Sequence, residues 1–247
     1  MDIGVVSLFP EVTETMVSYG VLGRAIKREQ VGLRCVNPRD FATDTHRTVD
    51  DRPYGGGPGM VLKIEPVRAA IEKARAELPA GSPVIFLGPQ GRKFDQRVAI
   101  ELSQLPGMVL VAGRYEGFDE RLLESVGGDE ISLGDYVLSG GEVAAVAIID
   151  SVVRLLPGVL GDDTSAAQDS FMEGLLDCPH YTRPEEYESM TVPQVLLNGN
   201  HAEIRRWRLK QSLGRTWQRR PDLLEQKNLS EEENSLLQEF IAENAES

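Results

Sequence analysis

The sequence predicts an α/β protein with a mainly parallel sheet and helices on both faces, followed by a smaller helical domain. Over the first two-thirds of the 247 residues, short β-like runs alternate with helical segments, as in chains of βαβ units. A polar stretch then ends the alternation, and only helical patterns follow it. The composition, 41% hydrophobic and 26% charged, is typical of a globular protein.

The elements follow one another in a regular order. Runs rich in aliphatic residues predict strands at residues 3–8, 33–36, 84–87, 108–111 and 130–133. Periodic apolar positions predict helices at residues 13–28, 65–78, 94–105, 119–126 and about 141–156, and later at about 201–213 and 231–244. We therefore expect an α/β domain over residues 1–160, a linker over 161–171 and an all-α domain over 172–247.

Charge is unevenly distributed in this acidic chain, whose formal net charge is −13. Residues 201–220 contain seven basic side chains against one acid, whereas residues 221–247 contain eight acids against one lysine. The first of these segments could bind a polyanion, because phosphate contacts are local. Two distant cysteines, no basic signal region and no bilayer-length apolar run predict a cytoplasmic protein without a membrane segment.

The most unusual local segment is Asp-Asp-Arg-Pro-Tyr-Gly-Gly-Gly-Pro-Gly-Met at residues 50–60. Its glycines and prolines disfavour a helix or strand interior. Composition alone gives equal weight to a loop that approaches a substrate and to an ordinary surface turn. The spacing matches neither a phosphate-binding Walker loop nor a dinucleotide-binding glycine motif.

Three further glycine-containing loops each follow a predicted strand, at residues 87–91, 112–117 and 133–141. In open α/β sheets, ligands bind beyond the carboxyl ends of the strands, where such loops gather. Tyr115, Tyr136 and Leu138 could form the walls of an apolar pocket there. Tight turns with packing aromatics remain the alternative, although three such loops together favour the pocket.

Other candidate residues give weaker signals. His46, His180, His201 and the Cys178–His180 pair lack the spacing of a metal site, so structural roles are favoured. On a helix, Arg205, Arg208, Arg215 and Arg219 form one cationic stripe, which is either a binding face or a solvated one. Gly214 could break that helix. Arg154 could pair with Asp150, and Asp169 could belong to a capping box that begins at Ser165.

Taken together, six segments are similar to the TrmD family of bacterial tRNA (guanine-N1)-methyltransferases. The resemblance runs in order from about residue 1 to about 240. The segments are residues 50–60, Gly-Arg-Tyr-Glu-Gly (113–117), Gly-Asp-Tyr-Val-Leu-Ser-Gly-Gly-Glu (134–142), Asp-Ser-Phe (169–171), Leu-Leu-Asp-Cys-Pro-His-Tyr-Thr-Arg-Pro (175–184) and Arg-Arg-Trp-Arg-Leu-Lys-Gln-Ser-Leu (205–213).

This resemblance implies a deep trefoil knot at the C-terminal side of the sheet, of the SPOUT class, and a homodimer with shared active sites. It also implies that the knot loops bind S-adenosylmethionine through Leu87, Pro89, Gly113, Tyr115, Glu116, Leu133, Gly134, Tyr136, Leu138, Gly140 and Gly141. The glycine-rich loop would approach the target guanine, with Gly59 near the base and Asp50 and Arg52 close by.

The resemblance further implies that Asp169 is the general base and that Arg154 steadies guanine O6. A carboxylate is a weak base for the guanine N1 proton, so charge that develops on O6 needs a cation, either a guanidinium or that group aided by Mg²⁺. Glu116 is the candidate residue near Mg²⁺. The other positions implied to contact the anticodon stem-loop of tRNA, around guanosine 37, are His180, Arg183, Arg205, Arg208 and Arg215.

Two positions depart from the pattern of the family. Gly88 stands where the family often has Ser, and Val143-Ala144 replaces a common Leu-Pro. Both lie at the edges of the cofactor loops, so they affect individual contacts there. Two alternative functions remain open: methylation of another RNA position, and a non-catalytic module that binds RNA or senses S-adenosylmethionine.

Overall fold

The protein, seen in a computed structural model, consists of two compact units, Met1–Gly161 and Asp162–Ser247. The structure describes residues 1–161 and 169–245. Most of the predicted linker, residues 162–168, lies outside the described residues. Within them, no helix combines the length and the apolar character needed to cross a membrane.

The first unit contains seven strands and six α-helices among its described residues. In chain order they are β1 (Asp2–Val6), α1 (Pro10–Val17), α2 (Gly20–Lys27), β2 (Gly32–Val36), β3 (Asp50–Asp51), β4 (Val61–Leu62), α3 (Ile64–Ala76), β5 (Val84–Lys93), α4 (Gln96–Ser103), β6 (Gly107–Ala112), α5 (Glu120–Val126), β7 (Asp129–Ser132) and α6 (Glu142–Val153).

Five of these strands form one sheet in the order β2-β1-β6-β5-β7, and every neighbouring pair is parallel. The predicted α/β class with a mainly parallel sheet is therefore confirmed. Central β6 is buried along its whole length, as expected for a parallel strand covered on both faces. Strands β3 and β4 form a separate antiparallel pair.

Alternating strand residues build two cores, because successive side chains point to opposite faces of a sheet. One core joins Ile3, Val5 and Leu110 to residues of α1, α2, α4 and α6. The other joins Val6 and Val111 to residues of α3 and α5. Helices thus cover both faces, and the carboxyl edge of the sheet is left for loops.

Two predicted elements of this unit need correction. The helix predicted at residues 13–28 is two helices, because Gly20 has a φ of +63° and the chain turns there. The strand predicted at residues 84–87 continues as β5 to Lys93. Its pairing with β7 is interrupted between Leu87 and Arg92 and then resumes, and such an interruption is not visible in an apolar pattern.

The sequence had predicted a purely helical second unit, and this prediction is wrong. A short antiparallel hairpin, β8 (Glu186–Tyr187) with β9 (Met190–Thr191), precedes its helices. Strands of two exposed residues carry no periodic signal. Among the described residues of this unit, the α-helices are α7 (His201–Arg219), α8 (Pro221–Glu225) and α9 (Glu231–Ala245).

Helix α7 passes through Gly214 without a break, which resolves the open question about this residue. The ring of Phe240, on α9, fills the space in which a Cβ on Gly214 would lie. The glycine therefore serves close helix–helix packing. Leu213 and Leu236 are almost fully buried at the same contact and form the core of this unit.

Candidate active site

A cavity of about 370 Å³ lies at the carboxyl ends of β6 and β7 and beside the interruption in the pairing of β5. The loops after β6 and β7 enclose it together with residues 87–90, an irregular part of β5 that the sequence had predicted as a loop. All eleven positions that the resemblance implies for the cofactor line this one cavity: Leu87, Pro89, Gly113, Tyr115, Glu116, Leu133, Gly134, Tyr136, Leu138, Gly140 and Gly141.

Close backbone contact joins two of these loops. The Gly141 N–H donates a hydrogen bond to the Gly113 carbonyl at 2.8 Å, immediately before α6 begins. A Cβ on Gly141 would lie 2.8 Å from both Ala112 Cα and Gly113 N. Since a real Cβ does not approach the backbone so closely, this position requires glycine.

Sequence reasoning missed a buried charged pair behind the loops. The Arg114 guanidinium contacts the Glu142 carboxylate at 2.9 Å, and Ser7 Oγ donates to the same carboxylate at 2.7 Å. The guanidinium also stacks over the ring of Phe9, 4.6 Å from its centre. Arg114 and Glu142 both stand inside the quoted motifs, but their pairing across 28 residues depends on the fold.

The departure at Gly88 has a structural counterpart in Glu130, which also lines the cavity. A Cβ at residue 88 would clash with Glu130 Oε1, so the bare glycine leaves room for this carboxylate. Burial, followed by repulsion from Glu120 and Asp129, raises the pKa of Glu130. The wall near Gly88 therefore carries a partly desolvated acid.

The glycine-rich loop is attached to the rim of the same cavity. The Glu116 N–H donates to the Met60 carbonyl at 2.9 Å, and the Glu116 carboxylate occupies the space where a Cβ on Gly59 would lie. Asp50 pairs with Leu62 in the β3–β4 ribbon, and Arg52 is exposed just beyond it. Gly59 is thus next to a residue that lines the cavity, whereas Asp50 and Arg52 do not line it.

The second unit has its own cavity, of about 660 Å³. Four of the positions that the resemblance implies line it: Asp169, His180, Arg205 and Arg208. Arg183 is exposed on the segment before the hairpin, and Arg154 caps the end of α6 in the first unit. The other residues of the predicted capping box, Ser165–Gln168, lie outside the described residues.

Comparison with known proteins identifies the family. The sequence model of the family described as "tRNA (Guanine-1)-methyltransferase TrmD" matches residues 1–226. Proteins named "tRNA (guanine-N(1)-)-methyltransferase" are 59% identical in Edwardsiella ictaluri, 60% in Sodalis glossinidius and 61% in Hahella chejuensis. These matches cover 99%, 98% and 96% of this chain and 96%, 97% and 92% of the respective relatives.

The chain belongs to the TrmD family. The predicted resemblance is therefore confirmed, and with it the class of methyltransferase enzymes. The match of the family model extends through the first unit and through α7 and α8 of the second. Both cavities consequently lie within the TrmD match.

Within the second cavity of this TrmD chain, Asp177 holds His180 through a hydrogen bond of 2.8 Å between Oδ2 and Nε2. Burial opposes ionisation of Asp177, but the bonds from His180 and from the Cys178 N–H outweigh it and lower its pKa. Donor atoms of Asp177, Cys178 and His180 lie within 4.8 Å of one another. Burial raises the pKa of the Cys178 thiol.

The cations of the basic helix α7 divide into two groups. Arg206 and Lys210 pair with Glu239 at 2.7 and 3.2 Å, and Lys210 also pairs with Glu243 at 2.8 Å on α9. Arg205 and Arg208 instead line the cavity that contains Asp169. The acidic C-terminal helix therefore neutralises Arg206 and Lys210, whereas Arg205 and Arg208 of the predicted arginine stripe lie at the cavity.

Proposed function

We propose that this protein transfers the methyl group of S-adenosylmethionine to N1 of the guanosine just 3′ of the anticodon, guanosine 37 of tRNA. The observation that supports this proposal best is the cavity beside the interruption of β5 and the carboxyl ends of β6 and β7. Two of the family segments, residues 113–117 and 134–142, meet residues 87–90 there. Membership of the TrmD family and the names of its relatives support the reaction type. A tRNA substrate also supports action in the cytoplasm.

The cavity has the chemical character that S-adenosylmethionine requires. Leu87, Leu133 and Leu138 offer apolar surface to an adenine ring. Gly140 and Gly141 present main chain that a side chain would otherwise cover. Glu116, Glu120 and Glu130 line the cavity as well and favour a ligand that carries a sulfonium and an ammonium group. When bound, this donor supplies an electrophilic methyl group whose leaving group is neutral.

Asp169 and Arg154 are the proposed catalytic residues. The Asp169 carboxylate accepts the N1 proton of guanine, and the freed lone pair is then aligned with the methyl group. Arg154 stabilises the negative charge that develops on O6 during proton removal, and this makes a carboxylate an adequate base. Positioning of both substrates supplies much of the remaining acceleration.

Mg²⁺ is part of the proposal, with Glu116 as the residue near it. This carboxylate lies at the junction of the cavity and the glycine-rich loop, so it could bring a cation close to guanine O6. Oxygen ligands suit Mg²⁺, which keeps most of its own waters. Loss of methyl transfer after chelation, with recovery on addition of Mg²⁺, would support this role.

The fold and domain roles are proposed on similar grounds. The hydrogen bond from Gly141 to Gly113 and the bridge between Arg114 and Gly140 bring two strand-end loops into contact, which supports a trefoil knot of the SPOUT class. Residues 1–160 would form the knotted methyltransferase domain. Residues 161–171 would be the linker, and the mainly helical part over residues 172–247 would bind tRNA.

We propose a homodimer in which Arg154 of one subunit serves Asp169 of the other. Two exposed apolar side chains support association: Met16 on α1 and Val143 on α6, two helices that pack together. The test is complementation between inactive variants. A mixture of Arg154→Ala and Asp169→Ala subunits should recover methyl transfer, since a mixed dimer has one intact site. No recovery after subunit exchange would exclude shared sites.

The overall function is tested by mass spectrometry of nucleosides from unmodified tRNA incubated with the protein, S-adenosylmethionine and Mg²⁺. We expect 1-methylguanosine at position 37, and none in a matched tRNA with adenosine at that position. Another methylated nucleoside would overturn the substrate assignment. Binding of S-adenosylmethionine without any methylated product would support the alternative of a non-catalytic protein that senses S-adenosylmethionine.

A further inference from the structure

Tyr54 presents the most exposed large apolar side chain of the first unit, at 99% of its full accessibility. The two tyrosines of the cavity, Tyr115 and Tyr136, are 50% and 56% exposed. Among the described residues, no aromatic ring or cation stacks on Tyr54. A single exposed aromatic side chain is common on protein surfaces, so a functional role for Tyr54 has to be argued from the residues around it.

The loop beside Tyr54 leaves free space around its backbone. Gly55, Gly56 and Gly57 have φ angles of +84°, +78° and +117°, a region that favours glycine. A Cβ at any of these three positions would meet nothing within 4 Å. These three positions therefore favour glycine because of the backbone conformation and not because of close packing. A flat ligand could approach the adjacent ring without meeting a neighbouring side chain.

The base of this loop, in contrast, is held against the cavity. The Leu62 N–H donates to the Gly117 carbonyl at 3.0 Å, and the Glu116 N–H donates to the Met60 carbonyl at 2.9 Å. Glu116 and Gly117 both line the cavity. The exposed ring thus belongs to a loop whose base is hydrogen-bonded to the rim of the proposed methyl-donor site.

Positive charge accompanies the ring. Arg52 is exposed two residues before Tyr54. The Arg121 guanidinium also interacts electrostatically with Tyr54, but it is already paired with Asp119 at 2.7 Å. An aromatic face with a neighbouring guanidinium, here that of Arg52, is the combination with which proteins bind unpaired nucleotides, because bases stack and phosphates pair.

We propose that Tyr54 stacks on a base of the RNA substrate that neighbours the guanosine entering the cavity. This inference rests on the proposed function. Taking a guanine out of its stack exposes the next base, and the Tyr54 ring replaces the lost stacking partner. The role is one of substrate positioning, since no proton or methyl group passes through the phenol.

The test compares Tyr54→Ala with Tyr54→Phe on an anticodon stem-loop RNA. Loss of one base–aromatic stack predicts a fall in kcat/KM for RNA of about 5- to 150-fold in the alanine variant. The phenylalanine variant keeps the ring and should rescue most of that loss. The Kd for S-adenosylmethionine, measured by calorimetry, and the mass of the particle in solution should not change.

RNA lacking one base locates the stacking partner. Each nucleotide flanking the target guanosine is made abasic in turn, and the ratio of wild-type to Tyr54→Ala activity is measured. The ratio should fall to about one for a single abasic position. Several results would overturn the proposal: an unaffected alanine variant, an equally impaired phenylalanine variant, a changed particle mass, or a ratio that no abasic position alters. Failure of the proposed function is distinct, because the wild type would then form no 1-methylguanosine.

Discussion

The Arg114 guanidinium and the Glu142 carboxylate meet at 2.9 Å, with only 1% of the Glu142 side chain exposed. Arg114 belongs to the loop after β6, and Glu142 is the first residue of α6. Both residues flank the cavity: Arg114 lines it, and so does Gly141, the residue before Glu142. The pair therefore joins two of the loops around the cavity through charge, while Ser7 connects them to the loop after β1.

Replacing Glu142 by Ala should destabilise the first unit by roughly 3 kcal/mol, because Arg114 and Ser7 lose their common partner. S-adenosylmethionine should also bind more weakly, since the two loops are no longer held together. Urea unfolding and calorimetry measure the two effects. Ser7→Ala, which removes one hydrogen bond, should cost only about 1 kcal/mol. Equal effects of both substitutions would contradict the central role of the charged pair.

Replacing Gly141 by Ala should abolish tight cofactor binding, because its Cβ would lie 2.8 Å from the backbone of Ala112 and Gly113. The loops must separate to relieve that contact. Gly161→Ala is the control, since a Cβ there would meet none of the described residues within 4 Å. Calorimetric titration with S-adenosylmethionine compares the variants. Wild-type affinity in Gly141→Ala would show that the loops adapt freely.

Replacing Asp169 by Ala should stop methyl transfer and leave cofactor binding intact, because the residue belongs to the second unit and the proposed cofactor cavity to the first. A fall in single-turnover rate of about 100-fold or more is expected for loss of a general base. The rate is measured with saturating tRNA and S-adenosylmethionine. A near-normal rate would remove Asp169 from the mechanism.

Charge reversal at Arg208 and Arg215 should weaken tRNA binding and reduce its dependence on salt concentration. Each lost phosphate contact lowers the slope of log K against log salt by about 0.7 to 0.9. Arg206→Gln is the control, because Glu239 already neutralises Arg206. Fluorescence anisotropy at several salt concentrations gives the slopes. Unchanged slopes would show that the arginine stripe is a solvated face and does not contact the phosphates of tRNA.

The contact between α7 and α9 should weaken in acid. Hydrogen bonds from Arg206 and then Lys210 lower the pKa of Glu239. A depressed folded-state pKa gives stability that is present above the unfolded value, about 4.3, and lost as the pH falls through the folded value. Glu239→Gln should therefore cost at most about 1 kcal/mol at pH 7 and progressively less toward pH 3.

Tryptophan fluorescence suits this measurement, because the only two tryptophans, Trp207 and Trp217, both lie on α7. Urea unfolding is followed across the pH range for the wild type and for Glu239→Gln. Glu72→Gln, on the exposed side of α3, serves as the control. A difference between wild type and Glu239→Gln that stayed constant with pH would contradict the ion-pair explanation.

Much of the fold was predictable from local pattern. Buried parallel strands are continuous apolar runs, and amphipathic helices repeat their apolar positions, so the five strands of the sheet and most helices were recognised. The break at Gly20 and the hairpin at residues 186–191 were not recognised. A positive φ at one glycine and a ladder of two exposed residues leave no periodic trace.

The sequence by itself determined the family, the class of fold and the positions of the glycine-rich loops, because these depend on residue types in contiguous segments. Only the tertiary structure decided that eleven separated positions line one cavity, that Arg114 pairs with Glu142, and that Glu239 withdraws Arg206 from the basic face. Each of these relationships joins residues that the chain brings together through the parallel order of the sheet or the packing of α7 on α9. Distances between such residues are set by the packing of whole elements, which no local pattern encodes.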